Sequence, residues 1–292
     1  MSQLKGTGVA IVTPFDQKEA VDFNALGKLI NFIIEGGVEY IVTLGTTGET
    51  PVLSKEEKIE IIQFTHQQVN NSVPVIIGMG GNDTRSLMKD LESYPLDKAY
   101  AVLSASPYYN KPSQQGLFEH YKLVASSSPK PVILYNVPGR TGRNMTADTT
   151  LKLANEVENI MGIKEASGDM AQCMEILRDR PAGFLVMSGD DNLALSQMAC
   201  GMDGVISVAA NGFPKAFSDM IRHCLSQNFS SAKKINDTLM PAYQLMFEEN
   251  NPAGIKAFLH EMGLIQNALR LPLVPLSKGL HQSVQQYLQK NK

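Results

Sequence analysis

Residues 132 to 164 run Val132-Ile133-Leu134-Tyr135, then the polar stretch Asn136-Val137-Pro138-Gly139-Arg140-Thr141-Gly142, then a segment of helical period opened by Thr146, then Met161-Gly162-Ile163-Lys164. Two short apolar runs separated by a helix-length segment form a strand-helix-strand unit. The runs are apolar throughout rather than alternating, as strands covered on both faces must be, and parallel strands joined by crossover helices are covered in this way. Working outward, the same unit recurs. Apolar runs stand at Gly8 to Thr13, Tyr40 to Leu44, Val73 to Ile77, Ala101 to Ser104, Val132 to Tyr135, Met161 to Lys164, Phe184 to Met187 and Gly204 to Val208, eight in all. Helix starts fall between them: Ser54 with Glu57 forms a capping box, and Asp22, Asp83, Ser113 and Thr146 occupy N-cap positions. Eight repeats predict an α/β fold, a closed (β/α)8 TIM barrel. An open doubly wound sheet would normally carry a dinucleotide or P-loop glycine pattern, and Gly78-Met79-Gly80-Gly81 matches neither.

After Gly212 the strand signals stop, and helices are predicted over Lys215 to Ser226, Ser230 to Phe247, Pro252 to Met262, and from about Lys278. The expected organisation is therefore a catalytic barrel over 1–228 and a C-terminal helical appendage over 229–292, packed on the barrel because no Gly/Ser/Pro-rich linker divides them.

Composition excludes several classes of function. The 292 residues are 43% hydrophobic and 19% charged, which suits a chain with a large core and no disordered character. A net charge of −3 lacks the basic footprint of a nucleic-acid binder, so no nucleic-acid partner is expected. No signal segment or run of about 20 apolar residues is present, so no membrane association is expected and a cytoplasmic location is. Cys173, Cys200 and Cys224 form no CxxC pair and are expected to be reduced core thiols. His66, His120, His223, His260 and His281 all fall in helical segments without metal-ligand spacing, Asp190 and Asp191 look like the start of a helix, and neither metal nor cofactor is expected. A phosphate site at Ala209-Ala210-Asn211-Gly212 is only weakly suggested.

Barrel chemistry sits at the carboxyl ends of the strands and in the loops that follow. Lys164 ends an apolar strand there, and taking an ammonium out of water favours the neutral amine, which can attack a carbonyl and form an imine. The alternative is a structural lysine paired with Glu165 or a nearby aspartate. Tyr135 ends the neighbouring strand and could move protons, or be an ordinary interior aromatic. Thr46 and Thr47 in Gly45-Thr46-Thr47-Gly48-Glu49 offer hydroxyls and backbone N–H groups to a carboxylate, or merely satisfy their own turn. Arg140 offers a fork for a second carboxylate, or is simply solvated.

Taken together, Gly45 to Glu49, Tyr135 to Gly142 and Gly162 to Ser167 closely resemble the dihydrodipicolinate synthase and N-acetylneuraminate lyase superfamily of Schiff-base barrels. The resemblance spans the chain, including Arg270-Leu271-Pro272 in the tail. Within the superfamily the motifs are closer to the synthases, because the lyases usually have Ser at Thr46 or Thr47 and lack an arginine at Arg140. The resemblance implies that pyruvate condenses onto Lys164, that the enamine attacks L-aspartate 4-semialdehyde, and that the adduct cyclises on its own amine, a step of lysine and diaminopimelate biosynthesis. It implies a proton relay of Thr47, Tyr135 and Tyr109, with Tyr109 lent by a neighbouring subunit. Thr46 and Thr47 would hold the pyruvate carboxylate and Arg140 that of the semialdehyde, with Gly189 and Ile206 lining the pocket. A homotetramer built as a dimer of dimers is implied. A lysine-binding allosteric pocket would match Thr50, Pro51, Lys55, Lys58, Asn82, Ser86 and Tyr108. Lys55 and Lys58 replace histidines common in inhibited enzymes and Ser86 a glutamate, so feedback by L-lysine is expected to be weak or absent. Two alternatives share these residues: a pyruvate aldolase acting on a sugar acid or 4-hydroxy-2-oxo acid, which would not need Arg140, and a non-catalytic barrel that binds a small acid, which would not need Lys164.

Overall fold

The computed structural model describes residues 3–291. Eight parallel strands close on themselves in chain order: β1 (Gly6–Ala10), β2 (Tyr40–Thr43), β3 (Val75–Gly78), β4 (Ala101–Ala105), β5 (Val132–Asn136), β6 (Ile160–Glu165), β7 (Leu185–Ser188) and β8 (Gly204–Ser207), with β8 pairing β1. The expected barrel is present. Around it run α1 (Phe23–Glu35), α2 (Lys55–Val69), α3 (Thr84–Ser93), α4 (Gln114–Ser127), the short α5 (Pro138–Thr141), α6 (Ala147–Glu156), α7 (Met170–Asp179), α8 (Ala194–Ala199) and α9 (Pro214–Leu225).

The helix starts form for the reason read from sequence. Ser54 and Glu57 make a reciprocal capping box, while Asp22, Asp83, Ser113 and Thr146 each accept a hydrogen bond from a first-turn N–H. Strand ends differ from expectation by one to three residues, most at the first and third strands. The first strand starts at Gly6 and stops at Ala10, where the sequence suggested Gly8 to Thr13. Position 8 within it has to be glycine, because a Cβ there would sit 2.0 Å from the Tyr40 ring. The third strand starts at Val75 rather than Val73, because Pro74 has no N–H to give to a ladder.

The core has two parts. Side chains from alternate strand positions, including Val42, Ile76, Leu103, Ile133, Tyr135, Met187 and Ile206, fill the barrel interior. The larger part lies between strands and helices. Cys173 and Cys224 are buried, and burial pushes their thiols up to about 12 and about 11. Cys200 is exposed, so the reading of all three as core thiols fails for that residue, which ends α8 at the surface.

The tail continues as α10 (Phe229–Phe247), α11 (Ala253–Glu261) and α12 (Lys278–Lys290). Phe258 of α11 and Tyr287 of α12 meet Phe213, from the loop after β8, with ring centroids 5.8 to 6.1 Å apart and edge-on geometry. Such pairs contribute ~0.5 to 1.5 kcal/mol each beyond their buried area. The tail is thereby fixed to the carboxyl-terminal rim of the barrel.

Candidate active site

Strand periodicity decides which way Lys164 points. Tyr135 belongs to the interior cluster and pairs in register with Lys164, which pairs in turn with Met187, another interior residue. Side chains opposite one another in a sheet share a face, so Lys164 faces the lumen. It is 5% exposed, and its Nζ lies 4.4 Å from the centroid of the Tyr135 ring.

Glu165, one residue on, points the other way. Its carboxylate accepts hydrogen bonds from Asn136 Nδ2 at 3.0 Å, Gln172 Nε2 at 3.0 Å and the Ser167 N–H at 2.8 Å. Burial raises its pKa against those bonds. Glu165 therefore anchors the back of β6 and is not the partner of Lys164, which removes one structural alternative for the lysine.

Gly189 follows β7 and donates its N–H to Glu165 O at 2.8 Å. A Cβ at this position would stand 2.9 Å from Lys164 Cε and 2.6 Å from Ala166 Cβ, so glycine keeps the flank of the lysine open. Ile206 is fully buried in the interior cluster. Asp190 and Asp191 stand at a helix start as expected, a 3-10 turn beginning at Asp191, although neither carboxylate caps it. Asp191 instead accepts from the N–H groups of Val208 (3.1 Å) and Ala209 (2.8 Å), tying the loop after β7 to the loop after β8. Those amides are thereby spent, and Ala210 N–H goes to Ser207, which leaves the suggested phosphate site without its donors. Burial pushes Asp190 up to about 6, with the charge of Lys164 acting in the opposite sense.

Thr46, Thr47 and Gly48 form a 3-10 turn after β2, flanked by Leu44 (φ 57) and Glu49 (φ 53), both left-handed. Thr47 is buried, and its Oγ accepts a hydrogen bond from Asn251 Nδ2 at 3.1 Å. Arg140, in α5, is exposed, and its guanidinium donates to the backbone carbonyl of the same Asn251 at 3.3 Å. Asn251 lies in the tail just before α11 and was not among the residues singled out from sequence. It sits 204 positions from Thr47 in a helical region with no local motif, so only the fold reveals it.

The structure does not bring Tyr109 to Lys164 within the chain. Tyr109 is 88% exposed on the loop after β4, in a left-handed conformation (φ 69), beside the half-exposed Tyr108. Near it, Asn110 donates to Asn82 O at 3.5 Å, and Asn82 and Ser86 are exposed. Thr50 is bound to the Leu44 carbonyl at 2.6 Å, Pro51 continues the same turn, and Lys55 and Lys58 lie on α2. Lys55 is engaged by α3, donating to Ser93 Oγ at 2.9 Å with Asp90 4.0 Å away, so its charge has a partner outside the expected allosteric set. Among the described residues no group of three His, Cys, Asp or Glu is placed to hold a metal ion, and no helix is long and apolar enough to cross a membrane.

A closed parallel barrel with a lumen-facing lysine, an in-register tyrosine and a threonine turn at its carboxyl rim belongs to the class of α/β-barrel enzymes. The profile of the Dihydrodipicolinate synthetase family matches residues 3–291, and the chain belongs to that family. The 4-hydroxy-tetrahydrodipicolinate synthase of Parabacteroides distasonis is 46% identical over 285 residues, covering 98% of this chain and 96% of that one. Among solved structures, the dihydrodipicolinate synthase of Thermotoga maritima superposes with a TM-score of 0.96 at 36% identity, covering 99% of both chains. The dihydrodipicolinate synthase of Acinetobacter baumannii complexed with pyruvate gives 0.95 at 40% identity, covering 98% of both.

Proposed function

We propose that Lys164 is the imine-forming nucleophile of this enzyme, with pyruvate as the first substrate and L-aspartate 4-semialdehyde as the second. The activity is 4-hydroxy-tetrahydrodipicolinate synthesis, a lyase-class step toward lysine and diaminopimelate. The observation that carries the assignment is the in-register pairing of Lys164 with Tyr135 at the open, carboxyl end of the lumen. The amine adds to C2 of pyruvate and expels water, leaving an iminium that acts as electron sink. Loss of a C3 proton gives the enamine, which attacks the aldehyde carbon. The new alkoxide takes a proton, and the adduct's own amine then attacks C2, closing the ring and releasing Lys164. Tyr135 and Thr47 move the protons, Thr46 and Thr47 hold the pyruvate carboxylate, and Gly189 and Ile206 bound the space. Assaying product formation from pyruvate and aspartate semialdehyde against pyruvate release from sialic acid or 2-keto-3-deoxygluconate tests the substrate assignment; the latter release as the main activity would replace it with the aldolase reading.

Arg140 receives the carboxylate of the semialdehyde. Its exposed position at the mouth suits a substrate that arrives second. Arg140→Ala is expected to lower kcat/KM for aspartate semialdehyde by roughly 10- to 100-fold, the value of one charged hydrogen-bonded contact, while pyruvate adduct formation changes far less. Adduct trapping and turnover measure the two stages separately, and equal losses would remove Arg140 from the aldehyde site.

Tyr109 completes the relay of a neighbouring subunit, since an aromatic tip this exposed cannot serve its own barrel. The expected assembly is a homotetramer, a dimer of dimers, in the cytoplasm. Mixing Tyr109→Phe subunits with Lys164→Ala subunits should restore activity, because one site of each hybrid dimer then has both residues. Absence of recovery despite proven subunit exchange would show that Tyr109 does not cross between subunits.

A further inference from the structure

Lys256, in α11, is fully buried, and its Nζ lies 2.5 Å from Glu49 Oε1, a carboxylate that is itself buried. The ammonium also donates to the Ala268 carbonyl at 2.9 Å and sits 4.2 Å from the centroid of the Phe15 ring. Arg270 covers the same ring at 4.4 Å, gives its backbone N–H to Glu49 Oε2 at 3.2 Å, and binds the Glu57 carboxylate with its guanidinium. Phe15 thus meets two cations of the tail.

Isolating two charges from water costs several kcal/mol per ion, so a fully buried pair is a poor way to gain stability alone. What distinguishes this one is its location. Glu49 ends the Thr46–Gly48 turn, its N–H bonds to Thr46 O at 3.1 Å, and its backbone occupies a left-handed conformation that disfavours a side chain. Strained backbone of this kind persists where surrounding contacts over-determine it. Asn251, five residues before Lys256, bonds to Thr47 in the same turn. The start of α11 therefore grips the threonine turn at two points.

We propose that the buried Lys256–Glu49 ion pair is a positioning device that fixes the Thr46–Thr47 turn for the pyruvate carboxylate, making Lys256 and Glu49 positioning residues of the reaction. The assignment rests on Lys164 and the threonine turn being the pyruvate site. Burial pushes Lys256 down to about 8, while the adjoining Glu49 carboxylate acts in the opposite sense.

The test uses three variants of the full chain: Glu49→Gln, Lys256→Met and the two combined, the last leaving no unpaired buried charge. In those that fold, as judged by Tm and circular dichroism, the KM for pyruvate should rise by about tenfold or more and the rate of borohydride-trapped adduct formation at low pyruvate should fall in proportion, since a displaced turn misplaces the carboxylate. Turnover at saturating pyruvate should fall as well, because Thr47 of the displaced turn moves protons, whereas the KM for aspartate semialdehyde should change less than that for pyruvate, because Arg140 and not the turn receives that carboxylate. A merely structural pair would move Tm and leave the KM split absent. A folded variant with wild-type pyruvate KM and trapping rate overturns the proposal, and so does failure of all three to fold, which would make the pair a determinant of the fold. If wild-type protein itself yields no adduct on Lys164, the reading of the pyruvate site is at fault instead.

Discussion

Lys164→Arg is expected to lose at least ~10³-fold in turnover, with the protein still folded, because a guanidinium stays protonated and cannot add to a carbonyl. The substitution keeps the positive charge beside Tyr135, so the loss separates nucleophilic chemistry from electrostatic binding of an anion. The companion measurement is covalent. Borohydride reduction with pyruvate present should add the mass of a reduced pyruvyl group to the peptide containing Lys164, and Lys164→Arg protein should show no such adduct. An adduct on another lysine, or turnover of the arginine variant near wild type, would move the chemistry elsewhere in the lumen.

Gly189→Ala should be nearly as damaging for a steric reason. Its backbone is not left-handed, so alanine meets no conformational penalty, and the whole effect comes from a methyl placed 2.9 Å from Lys164 Cε and 2.6 Å from Ala166 Cβ. Overpacking of this size costs ~1 to 3 kcal/mol of stability. Displacing the lysine by a fraction of an ångström to an ångström can cost on the order of 10²-fold in rate. Adding Ala166→Gly removes one of the two collisions and should recover stability in a thermal melt more than activity, because the contact with Lys164 remains. Activity of Gly189→Ala within threefold of wild type would mean the lysine has room to spare on that side.

Much of this site was legible because its signals are local. Tyr135 and Lys164 end adjacent apolar runs of similar length, so parallel strands bring them level, as the register confirms. Ser54, Asp22, Asp83, Ser113 and Thr146 cap helices through bonds to residues two or three positions away, a distance at which sequence alone is informative. The residues that escaped act across long separations. Asn251 and Lys256 belong to a tail that reads simply as helix, yet they contact Thr47 and Glu49, about 200 positions earlier. Asp191 stands at the helix start that its sequence position suggests, and only closure of the barrel offers its carboxylate the amides of Val208 and Ala209. Cys200 was misplaced because apolar neighbours in sequence do not fix which side of a short helix faces water.

With Thr47 assigned to pyruvate and Arg140 to the aldehyde as proposed, Asn251 joins two parts of the pocket that serve different molecules. Its side-chain amide reaches Thr47 at the pyruvate end, while its backbone carbonyl receives Arg140 at the aldehyde end. A change made at position 140 to admit a different acceptor would release that carbonyl, and the small change in pyruvate adduct formation expected of Arg140→Ala is the part that passes through this single residue to the donor end. On that assignment donor and acceptor preference are joined by one weak link rather than fully separate, and the tail, far from position 140, is where a shift toward a new aldehyde is fine-tuned.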